Sequence, residues 1–291
     1  MKVLVTGVNG QLGYDVVNEL KKRGHEAIGV DIDEMDITDE SAVYAFISFK
    51  KPDAVIHCAA WTAVDAAEDE ENKEKVHRVN VRGTENIANA CKQNNCKMMY
   101  ISTDYVFNGQ GIEPWKPDCK EYAPLSVYGK TKLEGEIAVA KILKDFFIVR
   151  IAWVFGINGK NFIKTMLSLS DKYDMLRVVN DQIGTPTYTF DLARLLVDII
   201  QTDKYGYYHA TNEGGYISWA VFAAEIFRQA NKKTKVIPVT TAEYGISKAT
   251  RPFNSRLDKS KLIENGFEPL PTWQDAIVRY LKELGVENNN E

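Results

Sequence analysis

Through the first 150 residues, short apolar, β-branched runs alternate with longer segments whose apolar positions recur at helical spacing. Residues 2–6 (KVLVT) form such a run and read as a buried strand, as do 26–31, 53–57, 97–102 and 146–151. Between them, 10–23 carries Leu12, Val16, Val17 and Leu20 on one helical stripe and stops at Gly24. Residues 40–49 place Val43, Phe46 and Ile47 together, and Pro52 breaks the pattern. Residues 73–94 read as one long helix with Val76, Val79, Ile87, Ala88 and Cys91 on its apolar face, and 126–144 as another. Strand and helix in alternation predict a parallel sheet covered on both faces. The right-handed crossover rule leaves a doubly wound sheet as the economical topology.

After Trp153 the rhythm changes. Pro186, Pro238, Pro252, Pro269 and Pro271 punctuate shorter elements: helices over 161–169, 190–201, 218–230 and 273–284, and one further strand over 205–210. The expected fold class is α/β, a Rossmann-type doubly wound parallel sheet with a smaller C-terminal α/β substrate-binding region. The expected division is a dinucleotide-binding domain over 1–152 with returning segments within about 175–211, and a second region over about 153–174 and 212–291. No internal repeat is visible, and only Asn288–Asn290 look low in complexity, as a frayed tail would.

Composition sharpens this picture by exclusion. The chain has 291 residues, 45% hydrophobic and 26% charged, with a formal net charge of −4. Length alone suggests about two domains, but the returning elements make them interwoven rather than serial. A mildly acidic chain does not suit nucleic-acid binding. No window approaches about 18 uninterrupted apolar residues, so no membrane span is expected. No leader is visible, and the expected compartment is the cytoplasm. Cys58, Cys91, Cys96 and Cys119 form no C-x-x-C pair and read as structural thiols. His25, His57, His77 and His209 lack metal-site spacing, so no metal ligand set is expected. The acidic run Glu68–Glu71 reads as a solvated helix start.

The first strand runs into Gly7-Val8-Asn9-Gly10-Gln11-Leu12-Gly13. One glycine permits a tight turn, the next lets backbone approach a pyrophosphate, and the last lets helix and strand pack closely. The helix N-terminus then offers free N–H groups to phosphates. Asp31 ends the second strand, 24 residues after Gly7, where an acid can take the adenosine ribose hydroxyls. A carboxylate there repels a 2′-phosphate, and no arginine stands beside it in sequence, so NADH is expected over NADPH. Asp36 and Ile37 are candidates to reach the adenine, and Ala60, Trp61 and Thr62 to line the cofactor.

Tyr128 and Lys132 are four apart and share a helix face, in the crossover that leads to the fifth strand. A phenol near pKa 10 is a poor acid–base group at neutral pH, and a neighbouring ammonium is expected to lower it. The fourth strand delivers Ser102-Thr103-Asp104 to the same sheet edge, where ligands bind. Strand alternation predicts that only one of the two hydroxyls serves the site. Such a hydroxyl would hold a carbonyl oxygen, Tyr128 would give it a proton, and a nicotinamide would supply hydride. Trp153 stands just past the fifth strand, where stacking on a sugar or base and plain core packing are both open.

These motifs resemble the extended short-chain dehydrogenase/reductases. The resemblance rests on V-T-G-V-N-G-Q-L-G, Asp31, C-A-A-W-T-A-V-D (58–65), Asn80, S-T-D-Y-V-F (102–107) and Y-G-K-T-K (128–132). More narrowly, R-I-A-W-V-F-G (150–156), N-F-I-K-T-M (161–166), N-D-Q-I-G-T-P-T (180–187) and R-P-F-N-S-R-L-D (251–258) are similar to the dTDP-4-dehydrorhamnose reductase family, so the likeness covers nearly the whole chain. The resemblance implies reduction of the 4-keto group of dTDP-4-dehydro-L-rhamnose with NADH or NADPH. By motif match it makes Thr103, Tyr128 and Lys132 catalytic, with Ser102, Tyr128 and Lys132 also against the cofactor. It sets Thr103, Asp104, Trp153 and Gln182 against the sugar, and Arg251 or Arg256 against the diphosphate.

Two departures matter. The glutamate usual after the T-P-T stretch is replaced by Phe190 and Asp191, and Asp15 is shorter than the glutamate expected on the first helix. A magnesium-bridged dimer is therefore not expected, and monomer and homodimer stay open. A dehydratase or epimerase of the same family is the nearest rival. Dehydratases carry Asp-Glu after the threonine, whereas this chain has Asp104-Tyr105. A non-catalytic NAD(P)-binding regulatory subunit is the other alternative, and it would not need an intact Thr–Tyr–Lys set.

Overall fold

The apolar runs of the first half that lie inside the sheet are buried because helices cover both its faces. The computed structural model describes residues 1–245 and 247–286, so the Asn288–Asn290 tail lies outside the described residues. Its first half runs β1 (Lys2–Thr6), α1 (Gln11–Lys22), β2 (Glu26–Val30), α2 (Glu40–Lys50), β3 (Ala54–His57), α3 (Glu70–His77), α4 (Gly83–Asn94), β4 (Lys97–Thr103), α5 (Val127–Ile142) and β5 (Phe146–Ile151). The helix expected over 73–94 is α3 and α4 joined by a π-helical turn, Arg78–Arg82. That wider turn places Asn80 so that its Nδ2 donates to Thr131 Oγ1 at 3.0 Å while its Oδ1 accepts from the Trp61 N–H at 2.8 Å. Such turns recur at functional sites.

The second half runs β6 (Val154–Phe155), α6 (Phe162–Ser170), β7 (Met175–Val179), β8 (Ile183–Gly184), β9 (Thr187–Tyr188), α7 (Thr189–Ile200), β10 (Gly206–His209), β11 (Ile217–Ser218), α8 (Trp219–Gln229), β12 (Lys235–Val239), α9 (Thr241–Tyr244), α10 (Ser260–Glu264) and α11 (Trp273–Glu283). Six strands make one sheet in the order β10-β5-β4-β3-β1-β2, every neighbouring pair parallel. The order reverses between β1 and β3, where Thr6 lies beside His57, and this switch point opens a crevice at the C-terminal strand ends.

Within the 175–211 window, α7 and β10 join the large sheet: α7 covers one face beside α1, and β10 pairs with β5 through Tyr208 and Val149. Met175–Val179 instead pairs with Lys235–Val239 in a separate two-stranded ribbon. The pairs β6–β9 and β8–β11 are two residues long, too short to leave a periodic signal in sequence. Val3 and Val5 face α1 and α7, and Leu4 faces α2, α4 and α5, as strand alternation requires. A third cluster, rich in aromatics, joins α6, α8 and α11.

His57 is buried with Nδ1 2.7 Å from Thr6 Oγ1, and burial pulls its pKa down to about 3. Cys91 and Cys96 are buried, and Cys58 and Cys119 half-buried. Among the described residues no group of three or more His, Cys, Asp or Glu is placed to hold a metal ion, and no helix is long and apolar enough to cross a membrane.

The largest buried side chain is Arg150 on β5, fully buried, as is Glu136 on α5. Nε and Nη2 of Arg150 grip the two Glu136 oxygens at 2.8 and 2.7 Å, and its remaining donors reach the Pro117 carbonyl and the Tyr122 hydroxyl. Removing one partner of such a pair strands a buried charge, which costs about 3–5 kcal/mol. Arg150→Met is expected to lose that much in denaturant unfolding, and Arg150→Met with Glu136→Leu to regain most of it. Equal losses in the single and double variants would show that the pair contributes through packing alone.

Candidate active site

The C-terminal ends of the strands open into a cleft of about 1220 Å³, roomier than the usual single-ligand pocket of about 300–1,000 Å³. Gly7, Gly10, Gln11, Leu12 and Gly13 form one wall. Gly7 has a φ of +71°, and a Cβ there would stand 2.8 Å from the Ala59 Cα. A Cβ on Gly13 would stand 2.3 Å from the Gly7 carbonyl oxygen. No side chain caps the start of α1 at Gly10, so its first N–H groups face the cleft, the arrangement that receives a phosphate. The Gln11 side chain turns away: its Oε1 accepts from Gly156 N–H at 2.9 Å and Asn161 Nδ2 at 3.0 Å, tying the glycine turn to the second region.

At one end of the cleft lie Asp31, Asp36 and Ile37, with Ala60, Trp61 and Thr62 opposite. The Asp31 carboxylate accepts the N–H groups of Asn9 at 3.0 Å and Ile32 at 2.9 Å, and Asp36 accepts that of Thr38 at 2.8 Å. Sequence reading found no arginine beside Asp31, but the fold brings Lys75 and Arg78 to border the same cleft. Arg78 donates to Thr38 Oγ1 at 3.1 Å. Their sequence distance from Asp31 hid them.

Ser102, Thr103, Asp104, Tyr128 and Lys132 meet at the middle of the cleft. Ser102 and Thr103 both border the cleft; Thr103 is the last residue of β4, and the chain then turns into the 3-10 turn Asp104–Val106. Ser126 caps α5 by accepting the Gly129 N–H at 3.1 Å, so Tyr128 sits in the first turn of the helix. Its ring meets that of Tyr105 edge to face at 5.5 Å.

The expected lowering of Tyr128 by Lys132 is not what the protein does. Burial lifts the phenol well above its ordinary range, opposed by the nearby Thr103 hydroxyl and reinforced by Asp104. Lys132 is only 3% exposed. Its ammonium donates to the Ile101 carbonyl at 2.7 Å and lies 4.0 Å from the Tyr100 ring centre. Burial pulls Lys132 down to about 7, against the Glu136 carboxylate one turn on.

Trp153 borders the cleft and stacks on Trp219 with ring centres 3.7 Å apart. Its φ of +51° is strained for a bulky residue, and the Trp153 carbonyl is fixed by the Thr187 N–H at 3.1 Å. Trp219 and Phe162 extend this aromatic wall; they look like plain core in sequence because helical spacing explains them fully. Arg251 reaches the cleft with its guanidinium already on the Asp65 carboxylate, at 2.7 and 3.2 Å. Two expected substrate contacts lie outside the lining. Gln182 is buried and donates to Thr241 Oγ1 at 3.0 Å, and Arg256 donates to Asn254 Oδ1 at 3.0 Å.

Residues 1–286 match a family model described as the RmlD substrate binding domain. A dTDP-4-dehydrorhamnose reductase of Aggregatibacter actinomycetemcomitans is 40% identical over 290 residues, covering 95% of this chain and 97% of that protein. Among solved structures, a dTDP-4-dehydrorhamnose reductase of Clostridium acetobutylicum aligns with a TM-score of 0.93 at 42% identity, over 98% of this chain and 100% of the other. One from Bacillus anthracis, in complex with NADP, aligns with a TM-score of 0.92 at 39% identity, over 97% and 100%. With the family model matched over residues 1–286 and these relatives alike over nearly the full chain, this chain belongs to the RmlD substrate-binding-domain family, alongside the dTDP-4-dehydrorhamnose reductases.

Proposed function

We propose that the protein reduces the 4-keto group of dTDP-4-dehydro-L-rhamnose to dTDP-L-rhamnose with a reduced nicotinamide dinucleotide. The observation that carries this reading is the meeting of Thr103, Tyr128 and Lys132 in one cleft, beside a glycine turn that a single Cβ would block. Bound NADH or NADPH supplies the hydride. The residues around it hold the carbonyl and deliver the proton. Tyr128 has the form a reduction needs: burial keeps the phenol protonated until negative charge develops on the substrate oxygen. Lys132, held by the Ile101 carbonyl, keeps a positive charge beneath the ring of reacting groups at pH below about 7. Trp153 offers a flat face to the sugar, and Arg251, half neutralised by Asp65, offers the remainder of its charge to the diphosphate.

For the cofactor, the turn from Asp31 to Asp36 carries Asp31, Asp33, Glu34 and Asp36 and no cation. This local negative charge supports NADH over NADPH, while Lys75 and Arg78 across the cleft leave NADPH usable. On this reading the protein works in the cytoplasm on a small-molecule nucleotide-sugar, as a monomer or homodimer and without magnesium. The carboxylates nearest the position of the family's metal site are engaged: Asp15 accepts the Thr189 hydroxyl, and Asp191 receives both Nη groups of Arg279.

Tyr128→Phe is expected to lower kcat by about 10²–10⁴-fold with dinucleotide affinity retained. The check is loss of reduced-nicotinamide absorbance with a panel of 4-keto sugar nucleotides, and a variant as fast as the wild type would refute the role. Asp31→Ser is expected to raise kcat/KM for NADPH relative to NADH by at least tenfold, the equivalent of about 1.4 kcal/mol. A wild-type kcat/KM that is higher with NADPH would overturn the preference.

A further inference from the structure

We propose that Asp104 works as a neutral carboxylic acid that turns the Thr103 hydroxyl toward the substrate carbonyl, an inference that rests on the reductase reading above. Thr103 has one hydroxyl proton. In the protein it gives that proton to Asp104 Oδ1 at 2.9 Å, while its oxygen accepts the Tyr105 N–H at 3.3 Å. A threonine so arranged has no proton for the substrate and competes with the substrate oxygen for the Tyr128 hydroxyl. A developing alkoxide needs donors already aimed at it, so the observed direction of the Thr103 bond is the wrong one for reduction.

Protonation of Asp104 reverses it. The carboxyl O–H then donates to Thr103 Oγ1, and the Thr103 proton is released to the substrate oxygen. The step moves one proton from solvent to Asp104 and re-aims another; no bond to carbon changes. Two geometric facts favour the neutral acid. Asp104 is 1% exposed, and among the described residues its Oδ2 atom is buried with no hydrogen-bond partner. A buried, half-satisfied carboxylate is costly, and a proton relieves it.

The groups that face Asp104 do not compensate. Thr103 and Tyr105 flank it in the chain, Tyr128 approaches from α5, and Ser255 approaches from the 251–258 segment. Arg251 is already paired with Asp65, and Lys132 is directed at Ile101. The Ser255 hydroxyl favours the ionised form without closing a hydrogen bond on Oδ2. Burial outweighs these and lifts Asp104 to about 6.

Asp104 thus acts through Thr103 as a positioning residue, and pH separates this from a structural role. Asp104→Asn presents an amide N–H to Thr103 at every pH. The ratio of variant to wild-type kcat/KM is expected to rise about tenfold per pH unit above a break near 6. Steps that belong to Lys132 occur in both proteins and cancel in the ratio. A ratio independent of pH, whatever its size, overturns the proposal. Isotope-edited infrared difference spectra of the wild type with bound NADPH give a second readout: a protonated-carboxyl band, absent in Asp104→Asn, that titrates near the same pH. Its absence also overturns the proposal. A wild type that oxidises no reduced nicotinamide with any 4-keto sugar nucleotide would instead refute the reductase reading, a result distinct from either of these.

Discussion

Arg150 holds the helix that carries Tyr128 and Lys132 against the sheet. Its guanidinium crosses from β5 to Glu136, one helical turn beyond Lys132, and spends its other donors on the 117–122 loop. Phe107, Tyr122 and Tyr207 lie around it, their ring centres about 5 Å from the guanidinium carbon. With both charges removed from water, the bidentate geometry is the only arrangement that satisfies them. The rotation of α5 follows from it, and so does the direction in which Tyr128 and Lys132 face. The 117–122 loop is held by the same contact, so the sheet, α5 and that loop share one anchor.

Dehydration then sets the chemistry. Buried titratable groups that line the cleft are pushed toward their neutral forms: Tyr128, Cys58 and Asp104 upward and Lys132 downward. Burial disfavours charge of either sign. A site of this kind suits a reduction, in which a neutral phenol gives up a proton only as negative charge appears beside it. Lys132 is pinned to the Ile101 strand carbonyl.

Several elements were legible because their signals are local. The β-branched runs that became β1 to β5 and the stripe that became α1 need only neighbouring residues to declare themselves. The π turn at Arg78–Arg82 was not legible, since Asn80 is drawn inward by Thr131 and Trp61, far away in sequence. The two-residue strands carry too few positions for a period. In the cleft, the glycine turn and the Tyr–Lys pair were readable because spacing on one element places them together. Gln182 and Arg256 lie outside the cleft lining, where Thr241 and Asn254 take their hydrogen bonds, because proximity in a motif does not determine which way a side chain points.

Local stretches of the chain were enough to set the alternation of strand and helix, the glycine spacing that lets α1 close on β1, and the placing of Tyr128 and Lys132 on one helix face. These are properties of short stretches, set by backbone sterics and apolar periodicity. It took the folded chain to bring Arg78 and Trp219 to the border of the same cleft and to aim Lys132 at Ile101. The same holds for the Thr103 proton, which rests on Asp104. The physical reason is shared: burial and long-range contacts set side-chain direction and protonation, and neither exists until the chain has closed on itself.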